Sequence, residues 1–166
     1  MKGIFYKAKE GSWVSKTIAC ITWTDRAKGQ PAVSHYEHWF NEDRYTRTPF
    51  YSASEQDGCT RFKGYKDIHV HSGKWVTVPL HLSTHQVLLV RGMCVEEEGR
   101  DYDLFGALCW HTPYQNPIKD FCSEQGARHL IEVGYIIPTW WDKLTKWSPN
   151  KLLKRLIKID RMRNGL

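Results

Sequence analysis

In the first half of the chain apolar and polar positions mostly alternate, whereas in the second half they recur at helical spacing. Gly3 to Lys9 reads as a short strand, with Ile4 and Tyr6 opposed to Phe5 and Lys7. Ser12 is placed to cap a helix from Trp13 to about Trp23, in which Val14, Ile18, Ile21 and Thr22 share a stripe. After a polar turn at Asp25 to Pro31, the segment Ala32 to Phe40 reads as a strand whose two faces carry different residues. Val33, His35, Glu37 and Trp39 fall on one face, and Ser34, Tyr36, His38 and Phe40 on the other. Pro49 to Ser54 is expected as the next strand. The turn Glu55-Gln56-Asp57-Gly58 then makes a hairpin with Cys59 to Tyr65. Asp67 to His71 and Lys74 to Leu80 read as two further strands.

From there the pattern turns helical. Ser83 or Thr84 can cap a helix running toward Glu98, with Gly99 at its end. Asp101 or Asp103 opens a short helix through Leu108, and a loop with Pro113 and Pro117 follows. Asp120 has the position of a cap for a helix that carries Cys122, runs to Glu132 and closes at Gly134. Beyond Pro138 lies a Trp-rich turn, then Ser148-Pro149-Asn150 introduces a basic helix from Lys151 to Arg163. This order of elements implies an α+β fold, an antiparallel sheet with helices packed on it.

Length and composition narrow the class. With 166 residues, 41% hydrophobic and 25% charged, the chain has the makings of one globular domain rather than a disordered segment. Five cysteines, none spaced as CxxC, argue against a disulfide framework or a zinc ribbon. The apolar run Val87 to Val90 is far too short to span a bilayer, and residues 1–13 lack the pattern of a signal peptide, so a cytoplasmic location is expected. The net charge of +6 permits contact with an anionic lipid, nucleic acid or wall polymer. Its excess sits partly in the last helix, where Leu152, Leu153, Leu156, Ile159 and Met162 form a stripe opposite basic residues. That helix either docks on the domain or offers a surface to an anionic partner.

The chemistry concentrates on two residues. A cysteine in the first turn of a helix meets unpaired amides and the positive end of the helix dipole, which favour thiolate and can hold an oxyanion. Cys122 has that place, which makes it the candidate nucleophile. His35, held on a strand, is the candidate base, and a nearby imidazolium would lower the thiol pKa further. Glu37, two residues along the same face, can orient the imidazole, as can Ser52 or Ser54 from the next strand. His69 with His71, and His81 with His85, have spacings that can seat a metal, but no thiol or carboxylate stands beside them. No metal and no cofactor is expected.

Several motifs then fall into a familiar order. Ser34-His35-Tyr36-Glu37, the hairpin from Tyr51-Ser52-Ala53-Ser54 into Gly58-Cys59-Thr60-Arg61-Phe62, Tyr102-Asp103-Leu104-Phe105-Gly106 and Phe121-Cys122-Ser123-Glu124 resemble the circularly permuted branch of the NlpC-type papain-like cysteine hydrolases, common in bacteria and phage genomes. The resemblance covers about residues 1–135. It implies a permuted papain-like domain over 1–138, with 139–166 as a Trp-rich turn and basic helix belonging to that domain or appended to it. It implies Cys122 as nucleophile, His35 as base and Glu37 as third member, with Tyr102, Asp103, Trp39 and Ser123 as substrate-contacting residues. The expected activity is hydrolysis of an amide, by default a peptide bond in peptidoglycan. Lipid acyl transfer or thioester cleavage is the alternative on the same fold, with an apolar slot lined by Trp39, Phe121 and Trp140. A non-catalytic host-takeover or anti-defence protein binding through its basic tail is the alternative outside it. The chain departs from the family at Tyr36 and His38, where aliphatic residues are usual, and at Gln125-Gly126.

Overall fold

The computed structural model describes residues 1–40, 47–108, 119–140 and 147–165. The strands are β1 (Lys2–Lys7), β2 (Val33–Trp39), β3 (Phe50–Ser54), β4 (Cys59–Lys63) and β5 (Trp75–Pro79). They form one antiparallel sheet in the order β4-β3-β2-β1-β5. Among the described residues the helices are α1 (Trp13–Ile21), α2 (Thr84–Glu96), α3 (Leu104–Leu108), α4 (Cys122–Glu132) and α5 (Pro149–Arg163). The α+β class is therefore as the sequence implies. No helix among the described residues is long and apolar enough to cross a membrane. The loop with Pro113 and Pro117 and most of the Trp-rich turn, Trp141 included, lie outside the described residues.

Local chemistry explains most element ends. Ser12, Ser83 and Ser148 each accept a first-turn amide, and Ser83 completes a capping box with Gln86. Three expectations differ. Residues 8–10 leave the first strand early as a 3-10 turn. Asp67 to His71 is a series of turns rather than a strand, begun by Asp67 accepting the Gly64 amide at 2.8 Å. Its alternation is real, because Ile68 and Val70 pack on Ile4, Trp39 and Phe50, but its backbone has no strand partner. Asp120 does not cap α4. The N-cap is Phe121, whose ring offers no acceptor, and the Asp120 carboxylate is forked onto Arg128 at 2.7 and 3.1 Å.

Both faces of the sheet are covered, so β2 is inner on each side. On one face α4 and α5 pack over Phe5, Tyr36 and Val78, and Leu152, Leu153 and Leu156 are fully buried in that cluster. Burying three leucines contributes several kcal/mol, at about 1.5–3 kcal/mol each. The last helix is thus part of the domain core, although Met162, expected in its apolar stripe, is exposed. On the other face the Ile68–Val70 turns cover one end of the sheet. The other end forms the floor of a cleft closed in by α1.

Candidate active site

Cys122 is the first residue of α4, and two backbone features fix it there. The segment 101–103 bridges β4 to the helix start: Tyr102 N donates to Gly58 O at 2.9 Å, and Asp103 N to Asp120 O at 2.9 Å. Asp103 also accepts the Gly106 amide at 2.8 Å, which caps α3. A Cβ on Gly106 would lie 2.1 Å from that carboxylate, so only glycine fits. The Tyr-Asp-x-x-Gly motif therefore acts as a brace for the helix that carries the thiol.

His35 comes from β2, and its ring lies near enough to the Cys122 thiol for each to shift the other's charge state. Its Nε2 lies 3.1 Å from Glu37 Oε1 and 3.3 Å from Ser52 Oγ. Of the three orienting candidates, Glu37 and Ser52 thus contact the ring. Glu37 is 1% exposed and is neutralised by Lys63 Nζ at 3.0 Å, which in turn holds Asp57 at 3.0 Å and Ser52 Oγ at 3.1 Å. Arg61 closes the row on Asp57 at 2.7 Å. Charges alternate along it: thiolate, imidazolium, carboxylate, ammonium, carboxylate, guanidinium.

The electrostatics follow from that row. Burial opposes the His35 imidazolium, but the Cys122 thiolate and Glu37 outweigh it and raise the pKa to about 9. Burial likewise opposes the Cys122 thiolate. The His35 charge and hydrogen bond, with the Tyr36 and Ser123 amides, still hold the thiol below its ordinary value. Lys63 and His35 similarly hold Glu37 down against its burial. Each group thus favours the charged form of its neighbour, which biases the pair toward thiolate–imidazolium.

A cleft of about 450 Å³ opens beside this row. His35, Glu37, Lys63 and Tyr102 line it, with Val14 and Ile18 from α1. Glu10, Glu55 and Asp67 outnumber Lys74 among its remaining charges. Cys122 is not among the lining residues and is only 3% exposed. Of the expected substrate-contacting residues, Tyr102 is in the cleft. Trp39 is buried against Phe50 and Ile68, Asp103 caps α3, and Ser123 donates to Trp147 O at 2.6 Å in the core. The expected apolar slot is not assembled either: Phe121 packs with Val14 and Ile18, apart from Trp39, and Trp140 is exposed. Lys63 and Asp57 were not singled out from sequence. Their position in a hairpin beside β2 was the available signal, because a lysine at an inward register position needs a carboxylate partner.

Tyr36, His38, Gln125 and Gly126 belong to a second buried group, on the opposite face of β2. Tyr36 Oη lies 2.9 Å from His38 Nδ1, His38 Nε2 lies 3.1 Å from His129 Nδ1, and His129 Nε2 lies 2.8 Å from Glu97. Gln125 donates to Glu97 at 3.1 Å. Gly126 lets the Tyr36 ring lie against α4, where a Cβ would come within 2.2 Å of it. His69, His71, His81 and His85 are exposed. No protein-family model, no curated protein and no solved structure matches the chain.

Proposed function

We propose that the protein is a cysteine hydrolase of the permuted papain-like kind, acting on an amide bond. The observation that carries this reading is the row Cys122–His35–Glu37, in which the His35 ring is held by Glu37 at 3.1 Å beside a cysteine at an α-helix N-terminus. In the mechanism it supports, the thiolate attacks the carbonyl carbon and a C–S bond forms. The oxyanion is stabilised by first-turn amides. His35 gives its proton to the leaving nitrogen as the C–N bond breaks, then takes one from water that releases the acyl group. Glu37 and Ser52 keep the imidazole turned toward the thiol, and Lys63 keeps Glu37 ionised.

A peptide is favoured over an acyl chain by the character of the cleft. Ser34, Glu37 and Lys63 are among the lining residues, so the cleft wall is polar and suits a polar substrate. The acidic excess favours a substrate that carries an ammonium group, as the stem peptides of peptidoglycan do. The test is hydrolysis of wall-type peptides with free or acetylated side-chain amines. Cleavage that needs Cys122 and prefers the free amine supports the reading. Cys122-independent turnover would sink it.

Acyl transfer keeps one specific observation in its favour. Trp13 and Phe105 are 71% and 58% exposed on α1 and α3, two helices that contact each other next to the cleft. Faster turnover of acyl esters or thioesters than of peptides would select that substrate class for the same residues.

A further inference from the structure

The buried group behind the proposed active site contains a ligand set of its own. His38 on β2, Cys94 on α2 and His129 on α4 are all buried, and one donor atom from each lies within 4.8 Å of the other two. His38 Nε2 and His129 Nδ1 are 3.1 Å apart, and Cys94 Sγ is 3.8 Å from His129 Nδ1. A tetrahedral zinc ion with Zn–N of about 2.0–2.1 Å and Zn–S of about 2.3 Å separates its ligand atoms by about 3.3 Å and about 3.5 Å, respectively. Two of the three ligand pairs therefore stand close to the edges of such a tetrahedron, and the third, His38 with Cys94, lies within 4.8 Å.

We propose that Cys94, His38 and His129 form a binding site for zinc or a similar soft divalent ion, which ties β2, α2 and α4 together. Thiolate and imidazole are the donors such ions select. The atoms behind the ligands fit as well. His129 has its other nitrogen on the Glu97 carboxylate at 2.8 Å, and His38 has its other nitrogen on Tyr36 Oη at 2.9 Å. The Glu97 carboxylate, an acceptor only, fixes the His129 tautomer with its Nδ1 lone pair toward the common point, and Tyr36 Oη can accept from His38 Nδ1 so that His38 Nε2 does the same; a carboxylate behind a ligating histidine is the usual support. Glu97 is itself held by Arg128 at 2.9 Å and by Gln125. On binding, two N–Zn bonds and one S–Zn bond form. The Cys94 proton passes to solvent, and both imidazoles keep their remaining N–H. Three protein ligands leave the fourth position to water.

The placement gives the site a role that does not depend on the substrate. β2 carries both His35 and His38, and α4 carries both Cys122 and His129. An ion between His38 and His129 clamps the two elements whose contact pairs Cys122 with His35. Removing it is expected to lower the unfolding midpoint and to loosen that pair.

The test uses the full chain, stripped with a chelator and titrated with zinc alone, then with cobalt(II). One zinc per chain, and a cobalt complex with a thiolate charge-transfer band and intense tetrahedral visible bands, are expected. Cys94→Ala and His38→Gln should each lose the zinc and the band, Glu97→Gln should weaken binding roughly 10–100-fold, and the double variant His69→Ala/His71→Ala should bind as the parent does. Near-UV circular dichroism checks that each variant is folded. If a variant fails to fold, the cobalt spectrum of the parent decides. The proposal is overturned if the parent takes up no zinc, if its cobalt complex lacks a thiolate band, or if folded Cys94→Ala keeps the ion. The row Tyr36–His38–His129–Glu97 is then a hydrogen-bonded chain only.

Discussion

His35 and Lys63 compete for one carboxylate oxygen, and that competition sets the working range of the site. Both lie close to Glu37 Oε1, at 3.1 and 3.0 Å. Replacing Lys63 with Met leaves Glu37 to His35 alone, so the imidazolium should persist to higher pH than its present value of about 9. The alkaline limb of any Cys122-dependent rate should move up accordingly, as a pH–rate profile would record. The same change breaks a buried ion pair and should cost about 3–5 kcal/mol of stability, measurable by urea unfolding. Stability carries the matching sign for His35. Its folded pKa lies above its ordinary value of 6.5, so its contribution is fully present below that value and is lost as pH rises through about 9. An unchanged alkaline limb in Lys63→Met would mean that Glu37 does not govern the imidazole.

At the scale of elements, the alternation of β2 told which side chains share a face but not which face is core. His35 and Glu37 were legible as a pair on that basis, and Cys122 as a residue at a helix start. What local pattern could not give was the use of both faces, because long-range packing by α4 and the Ile68–Val70 turns buries each. Asp120 illustrates the same limit. Its type and place suit a cap, but Arg128, eight residues on, takes the carboxylate. Asp67 to His71 alternates like a strand, yet it meets its burial demand by turns laid on Trp39 and Phe50. The departures at Tyr36, His38 and Gln125-Gly126 looked unrelated in sequence and are one packed unit in space. Gly126→Ala should therefore cost about 1–3 kcal/mol through overpacking against Tyr36. Tyr36→Leu should recover part of that loss in the double variant, and additive losses in chemical unfolding would show that the two do not touch.

Over the whole molecule, the apolar side of the basic C-terminal helix is packed into the domain core. Arg155 donates to Ile137 O at 2.7 Å and Arg163 to His81 O at 2.8 Å, which turns part of the positive charge inward. Leu153→Ala or Leu156→Ala should cost about 2–5 kcal/mol of global stability. A loss near zero in urea titration would make the helix an appendage. Lys154, Lys158 and Arg161 remain outward. Their reversal to Glu should leave Cys122 reactivity unchanged while weakening any binding to anionic vesicles, which separates surface attachment from chemistry. The central claim is that Cys122 and His35 form one working pair, and the pH dependence of Cys122 alkylation, followed by mass spectrometry in the parent and in His35→Ala, tests it most directly. Reaction in the parent well below the pH of a free thiol, about 8.5, with the profile moving upward in His35→Ala, is the expected result. An inert Cys122, or a profile that ignores His35, would contradict it.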